Sequence, residues 1–385
     1  MLASRQDRGP VTATGSSGGK RHGFQAQSGC LALALSLGLA AGVAQAQQVA
    51  ITPELAKIID AAKKEGRLLL RSTTSVNGAA DGAKVAQDGI KRMFGVDLAV
   101  EWVPGPAFAP LAAALFQEKQ GGQPASGDVF VATAIQITPY LDRGLFQPVD
   151  WVKLAPARIK PDLIEGDGKA LRFMTFLPGI NYNVKVATWV PQIKVIEDIL
   201  KPDYKGRFVT TPFLAGFDVL LADPKWGPAK TDDFVRRMST QIAGLLGCEG
   251  EDRIASGETP ALVIDCSGGS QNRLRFRGQG ILDTHIVGNV AQRRYAYMTI
   301  PAHSAHPNAA ILYTLYLSSP EGQEKVVWDL YGWDLDLYAN SRAGKRVEEV
   351  KSKGITFTDV NIDWWKTNQR IAKDHLELTK IIRER

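Results

Sequence analysis

The chain has 385 residues, enough for two domains, and its 44% hydrophobic, 22% charged and 8% aromatic residues are those of an ordinary globular protein. That excludes a disordered chain, a collagen-like repeat and a multi-span membrane protein. Half of the net charge of +6 sits before residue 47, in Arg5, Arg8, Lys20 and Arg21 set against Asp7, and no run of like charges offers a surface to nucleic acid.

In chain order, the first segment reads as an export signal. Basic residues precede an apolar stretch from Cys30 to Ala41, followed by Ala44-Gln45-Ala46, an A-x-A cleavage pattern. The stretch is about a dozen residues, against the roughly 20 that a membrane span needs. Gly38 and Gly42 also argue against a core helix. Removal after Ala46 is expected, leaving a soluble exported protein. Cys30 departs with the signal, so Cys248 and Cys266 remain, 18 positions apart. In an oxidising compartment the pair reads as a disulfide, worth about 3 kcal/mol by loop closure. Two buried free thiols are the other possibility. No CxxC or histidine pair flanks either cysteine, so a metal site is not expected there.

Helices then alternate with short apolar strands. Thr52-Pro53 opens a helix with stripe residues Leu55, Ile58, Ile59 and Ala62, stopped by Gly66. Arg67 to Arg71 is a buried strand breaking into Ser72-Thr73-Thr74-Ser75. A helix over about Ala80 to Phe94 and a strand over Leu98 to Val103 follow. Phe108, Leu111, Ala112, Leu115 and Phe116 share one helical face, closed by Gly121-Gly122, and Asp128 to Val131 is the third strand. Leu171 to Tyr182 is a long apolar run broken at Pro178-Gly179, as a strand leaving one sheet for another would be. Gly206 to Thr210 is a strand, Thr231 caps the next helix, and Ala261 to Cys266 is a buried strand. Tyr295 to Ile300 returns to the first sheet. His306-Pro307 and Ser319-Pro320 start helices, and Trp364, Ile371, Leu378 and Ile382 stripe the last one. Strand–helix alternation at this spacing predicts α/β architecture with parallel sheets.

Catalytic signatures are missing after residue 46: there is no HExxH, GxSxG, P-loop or GxGxxG there. His303 and His306 are three apart, but Pro307 makes His306 a helix-start residue, and the pair is read as structural. Instead, strand-to-helix turns rich in hydroxyls and glycine recur: Ser72-Thr73-Thr74-Ser75, Gly105-Pro106-Ala107-Phe108, Thr210-Thr211-Pro212 and Ser267-Gly268-Gly269-Ser270. In open α/β sheets ligands bind at the carboxyl ends of strands, and helix starts there favour anions. The plain alternative for any one turn is N-capping. The candidate contact set is Arg71, Ser72, Thr73, Thr74, Ser75, Ala107, Phe108, Thr133, Tyr182, Thr211, Ser267, Gly268, Gly269 and Ser270. Arg71 is either a charge-assisted partner for an anion or a solvated strand-end residue. Phe108 covers a ligand or belongs to its helix's core stripe.

Seven short motifs in order carry a resemblance. They are Ala62-Lys63-Lys64-Glu65-Gly66; Gly127-Asp128-Val129-Phe130 with Leu141-Asp142-Arg143-Gly144-Leu145-Phe146; Gly179-Ile180-Asn181-Tyr182-Asn183; Pro202-Asp203-Tyr204-Lys205-Gly206-Arg207; Gly257-Glu258-Thr259-Pro260; Ala305-His306-Pro307-Asn308-Ala309-Ala310; and Ser319-Pro320-Glu321-Gly322-Gln323. Together they resemble the solute-binding proteins of bacterial ABC importers, in the group of ferric-ion, polyamine and 2-aminoethylphosphonate binders. The resemblance implies α/β architecture with two Rossmann-like lobes joined by crossing strands, the type II periplasmic binding protein fold. It divides the chain into residues 47–177 with 299–330, and 178–298 with 331–385. It implies a periplasmic monomer that closes on a small solute and docks on membrane permease subunits, with no cofactor and no catalysis. Ferric binders of the group present paired tyrosines after the strand ending here at Cys266, where this chain reads Ser267-Gly268-Gly269-Ser270. The turns lack the acids a polyamine would need, so an organic anion such as a carboxylate or phosphonate is favoured. A metal chelate is the runner-up ligand, and an exported enzyme on the same scaffold the runner-up class.

Overall fold

The computed structural model describes residues 50–247, 250–267 and 278–384. Helix α1 (Pro53–Glu65) follows its local signals: the Thr52 hydroxyl accepts the Leu55 N–H at 3.1 Å, and Gly66 closes the helix at φ +66°. Leu55, Ile59 and Ala62 are buried. Strand β1 (Arg67–Ser72) pairs in parallel with β2 (Ala99–Pro104), from Arg67 opposite Ala99 to Ser72 opposite Pro104. Between and after them run α2 (Ala79–Phe94) and α3 (Phe108–Gln120).

Strand β3 is Phe130–Thr133, two residues later than its predicted start. Asp128 does not extend into the strand, because its carboxylate is used elsewhere. It accepts the Leu69 N–H at 2.7 Å, the Ser304 hydroxyl at 2.7 Å and the His306 ring at 2.9 Å. Val129 bridges Leu70 in parallel, so β3 lies beside β1. Helices α4 (Ala134–Leu141) and α5 (Trp151–Leu154) lead to β4 (Ile164–Glu165) and β5 (Ala170–Phe176).

Beyond Leu177-Pro178-Gly179 the chain builds a five-stranded sheet. In spatial order it is β10 (Leu282–His285), β6 (Ile180–Asn183), β9 (Ala261–Val263), β7 (Phe208–Thr210) and β8 (Gly244–Leu245). Packed with it are α6 (Asp218–Ala222), α7 (Gly227–Gln241) and α8 (Glu251–Ala255). Strand β11 (Gln292–Thr299) then returns to pair with β5, β3 and β12 (Thr358–Val360). Helix α9 (Pro307–Leu317) packs on α1 and α2, and the turn Pro320–Gly322 runs into a π-helix, Gln323–Tyr331. Helices α10 (Arg342–Ser352), α11 (Ile362–Thr367) and α12 (Ile371–Arg383) complete the chain.

Several expectations are corrected. The sheets are mixed: β11 runs antiparallel to β3 and β5, and β6 antiparallel to β9 and β10. Thr231 lies inside α7 and donates its hydroxyl to the Gly227 carbonyl at 2.7 Å. Strand β9 stops at Val263 because Ile264 turns to φ +46°. The final stripe is split between α11, carrying Trp364, and α12, with the Asn368 amide donating to the Trp364 carbonyl at the break.

The main apolar core is continuous through the crossing segments, where Leu177, Ile264, Ile286 and Val287 are buried. A small satellite of Val209, Leu246, Ile254 and Leu262 packs apart from it, on the β7–β9 sheet. Among the described residues no helix is long and apolar enough to cross a membrane.

Candidate functional site

Because β1, β2 and β3 run in parallel side by side, their carboxyl ends at Ser72, Pro104 and Thr133 share one sheet edge. This is the place where open α/β sheets receive ligands. Behind Ser72, most hydroxyls are engaged locally. The Ser72 hydroxyl accepts the Trp102 indole N–H at 3.0 Å, and Thr73 Oγ1 lies 3.0 Å from Ser75 Oγ. Thr74 is exposed. Beyond Val76, the three residues Asn77, Gly78 and Ala79 all have positive φ (49°, 75° and 51°). Asn77 is buried; its amide donates to the Tyr313 hydroxyl at 3.1 Å, while its Oδ1 has no partner. Leu70, Arg71, Ser72, Asn77 and Trp102 line a recess of about 20 Å³ here, room for a single water.

Arg71 threads between Gly105 and Gly127, where a Cβ would come within 3.0 and 3.1 Å of its stem. Its guanidinium lies 4.0 Å from Glu118, which also accepts the Ser126 N–H at 2.9 Å. The side chain is 32% exposed. Arg71 thus already has a carboxylate neighbour. Ala107 is exposed at the start of α3, and Phe108 packs against the core as its periodicity indicated. Thr133 caps α4, its N–H and hydroxyl donating to Gln136 Oε1 at 3.2 and 2.7 Å.

The second sheet offers a matching edge. Strands β7 and β9 are parallel, so Thr211 and the residues after Val263 are neighbours. Thr211 is fully buried, and its Oγ1 accepts the Ala215 N–H at 2.8 Å, a bond within the turn ahead of α6, which starts only at Asp218. Ser267 is half-buried; Gly268, Gly269, Ser270 and Cys248 lie outside the described residues, and with Cys248 the predicted bridge to Cys266. Tyr182 is not brought to this edge. The antiparallel register sets it opposite Ala261, at the start of β9, and it is buried between β9 and β10.

Register brings the two edges to a common joint. On β11, Thr133 pairs with Ala296 and Phe176 with Arg294, so the end of β3 lies beside the point where β5 leaves its sheet. Three residues on, Gly179 reaches the end of β9: its N–H donates to Asp265 Oδ1 at 3.1 Å, and the Asp265 N–H donates back to the Gly179 carbonyl at 2.8 Å. Next to it, Arg294 on β11 pairs with the buried Asp218 of α6, and Gln292 donates to the Gly216 carbonyl at 3.0 Å. The sequence reading missed Asp265, Asp218 and Arg294, and took Asp128 only as part of a motif. Each is an ordinary charge in the sequence; what marks it is burial and a partner 76 or more positions away. His306 joins Asp128 at the start of α9, in keeping with a structural role.

No family model matches the chain, and no curated protein matches it. Solved structures do. The apo ferric ion-binding protein A of Pasteurella haemolytica is similar with a TM-score of 0.60 and 16% identity, over 83% of this chain and 97% of that one. The spermidine/putrescine ABC transporter substrate-binding protein PotD of Streptococcus pneumoniae gives 0.58 and 15%, over 81% and 99%. AgtB of A. tumefaciens R10, in complex with agropinic acid, gives 0.56 and 16%, over 82% and 98%. Nearly the whole length of each is matched by most of this chain, and the protein has the mixed α/β, two-lobe fold of the type II periplasmic binding proteins.

Proposed function

We propose that this protein captures a small solute between two lobes, formed by residues 47–177 with 299–330 and 178–298 with 331–385, and presents it to the membrane permease subunits of an ABC importer. The observation that carries this is the register of β3, β5 and β11 with the Gly179–Asp265 clasp, which brings the carboxyl ends of parallel strands from two sheets to one joint. A ligand at that joint touches both lobes only when they close, so binding shifts the open–closed population. The recess beside β1 holds about one water, too little for a solute by itself.

An organic anion, such as a carboxylate or phosphonate, is the favoured ligand. Helix starts and hydroxyls at the strand ends suit it, with Arg71 as the charged partner beside Glu118. A similar structure holding agropinic acid supports an organic acid, whereas the ferric ion-binding relatives of the fold favour a metal chelate as second reading. We further read the protein as a periplasmic monomer, exported with removal of residues 1–46. In this reading it carries a Cys248–Cys266 bridge and has no cofactor, nucleic-acid partner or turnover.

A thermal-shift screen against carboxylates, phosphonates, polyamines and iron chelates tests the reading. A true ligand raises the melting temperature in step with RT ln(1 + [L]/Kd) and is recovered unchanged. Arg71→Ala should weaken an anionic ligand at least tenfold. Chemical consumption of the ligand would move the protein to the enzyme class.

A further inference from the structure

A cavity of about 360 Å³ lies at the other end of α2 from the strand-end edge. Ala79, in the first turn of α2, lines the recess beside β1, whereas Met93, in the last turn, contacts Arg158 of the cavity through its sulfur at 3.7 Å. Helix rise alone therefore separates the two places by about 20 Å. The cavity is formed by the loop after α5, the end of α9, the start of the π-helix and the loop before α10, with Arg158, Ser318, Glu324, Asp334, Tyr338 and Arg342 in its wall.

Its acids are already committed. Glu324 takes both guanidinium nitrogens of Arg342, at 2.6 and 2.7 Å. Asp334 accepts the backbone N–H groups of Arg342 and Ala343, each at 2.8 Å. Arg158 is different. Its Nη2 is buried without a hydrogen-bond partner, and among the described residues no carboxylate pairs with it. Burial pushes its guanidinium below the ordinary arginine value. A half-buried cation with one nitrogen shut off from water and no counter-ion is costly to keep, which argues that something supplies one. The Tyr338 hydroxyl, buried beside Ser318, is pushed up to about 12 by that burial, so it stays protonated and able to donate. The volume falls within the range of small-molecule pockets, about 300–1,000 Å³.

We propose that this cavity is a second binding site, separate from the strand-end edge, for a small organic anion whose carboxylate or phosphate group pairs with Arg158 and accepts from Tyr338. The test is titration calorimetry of the purified protein with succinate and with inorganic phosphate, at ionic strength matched with chloride. Binding of either probe is expected, and which of the two binds identifies the anion chemistry. Arg158→Gln should weaken it at least tenfold and Tyr338→Phe severalfold. If Arg158→Gln does not fold, Arg158→Lys, which keeps the charge but loses the planar fork, should weaken it instead. Three results overturn the proposal: neither probe binds, the Arg158 and Tyr338 variants bind as the wild type does, or Arg71→Ala abolishes binding while the Arg158 variants leave it intact. The last would assign the anion to the strand-end edge.

Discussion

Two buried aspartates lie just outside strands of the two sheet systems, and they hold different things. Asp128, 1% exposed, ties β1, the Ser304 turn and the start of α9 into one frame through Leu69, Ser304 and His306. Asp265, 4% exposed, grips the backbone of the crossing segment at Gly179 in a reciprocal pair. One carboxylate braces a strand against a helix start; the other extends the β6–β9 pairing as far as the crossing segment. The first carboxylate holds three partners and the crossing backbone at Gly179 rests on one reciprocal pair, so local opening belongs at the crossing.

This contrast can be broken most directly by removing the brace. Asp128→Ala leaves the His306 ring, the Ser304 hydroxyl and the Leu69 N–H without their shared acceptor, and it should cost about 3–5 kcal/mol in urea unfolding. A loss below about 1 kcal/mol would remove the frame from the account. Asp265→Ala should cost less, about 1–3 kcal/mol for the orphaned Gly179 N–H, yet raise amide exchange at residues 177–180 more than in β1. Equal exchange in both places would erase the difference between brace and clasp. Thr133→Ala, which removes only a hydroxyl that donates to Gln136 at the edge, should cost about 1 kcal/mol.

The smallest effect is on pH dependence. Burial holds the His285 imidazole, on the β10 edge of the second sheet, below its ordinary value, with Nε2 2.7 Å from the Ile193 carbonyl. The unfolded chain therefore binds the proton more readily, so the stabilisation is present above the unfolded value of about 6.5 and is lost as pH falls through it. His303, beside the first sheet system, is depressed chiefly by burial too. His285→Gln and His303→Gln should each flatten part of the stability slope between about pH 7.5 and 5.5. A slope unchanged in both variants would show that the histidines do not report the two layers.

What the sequence reveals is what local chemistry decides. Helix α1 is bounded as read because the Thr52 cap, Pro53 and the left-handed Gly66 all act within a few residues. The first strands and the returning strand near Tyr295 are visible as apolar runs for the same reason. The direction of pairing is not visible: β3 and β5 lie antiparallel to β11 because of partners more than 100 positions away, and no periodicity encodes that. Thr231 looked like a cap because hydroxyls favour helix starts, yet α7 begins earlier at Gly227 and the hydroxyl bonds back to its first turn. For the candidate site, the turn residues were legible as a class, but the sequence could not show that Arg71 has Glu118 for company. Nor could it show that Arg158, an unremarkable charge in a loop, has no carboxylate partner among the described residues.

The left-handed run at Asn77–Ala79 has a further consequence, for how this protein can change. A side chain at position 78 would meet Leu330 of the π-helix at 2.7 Å, in a backbone region that suits glycine. The residue opening α2 and the residue packed on it from some 250 positions downstream are therefore not independent variables. Whoever reshapes this corner, by selection or at the bench, must rewrite both in one step.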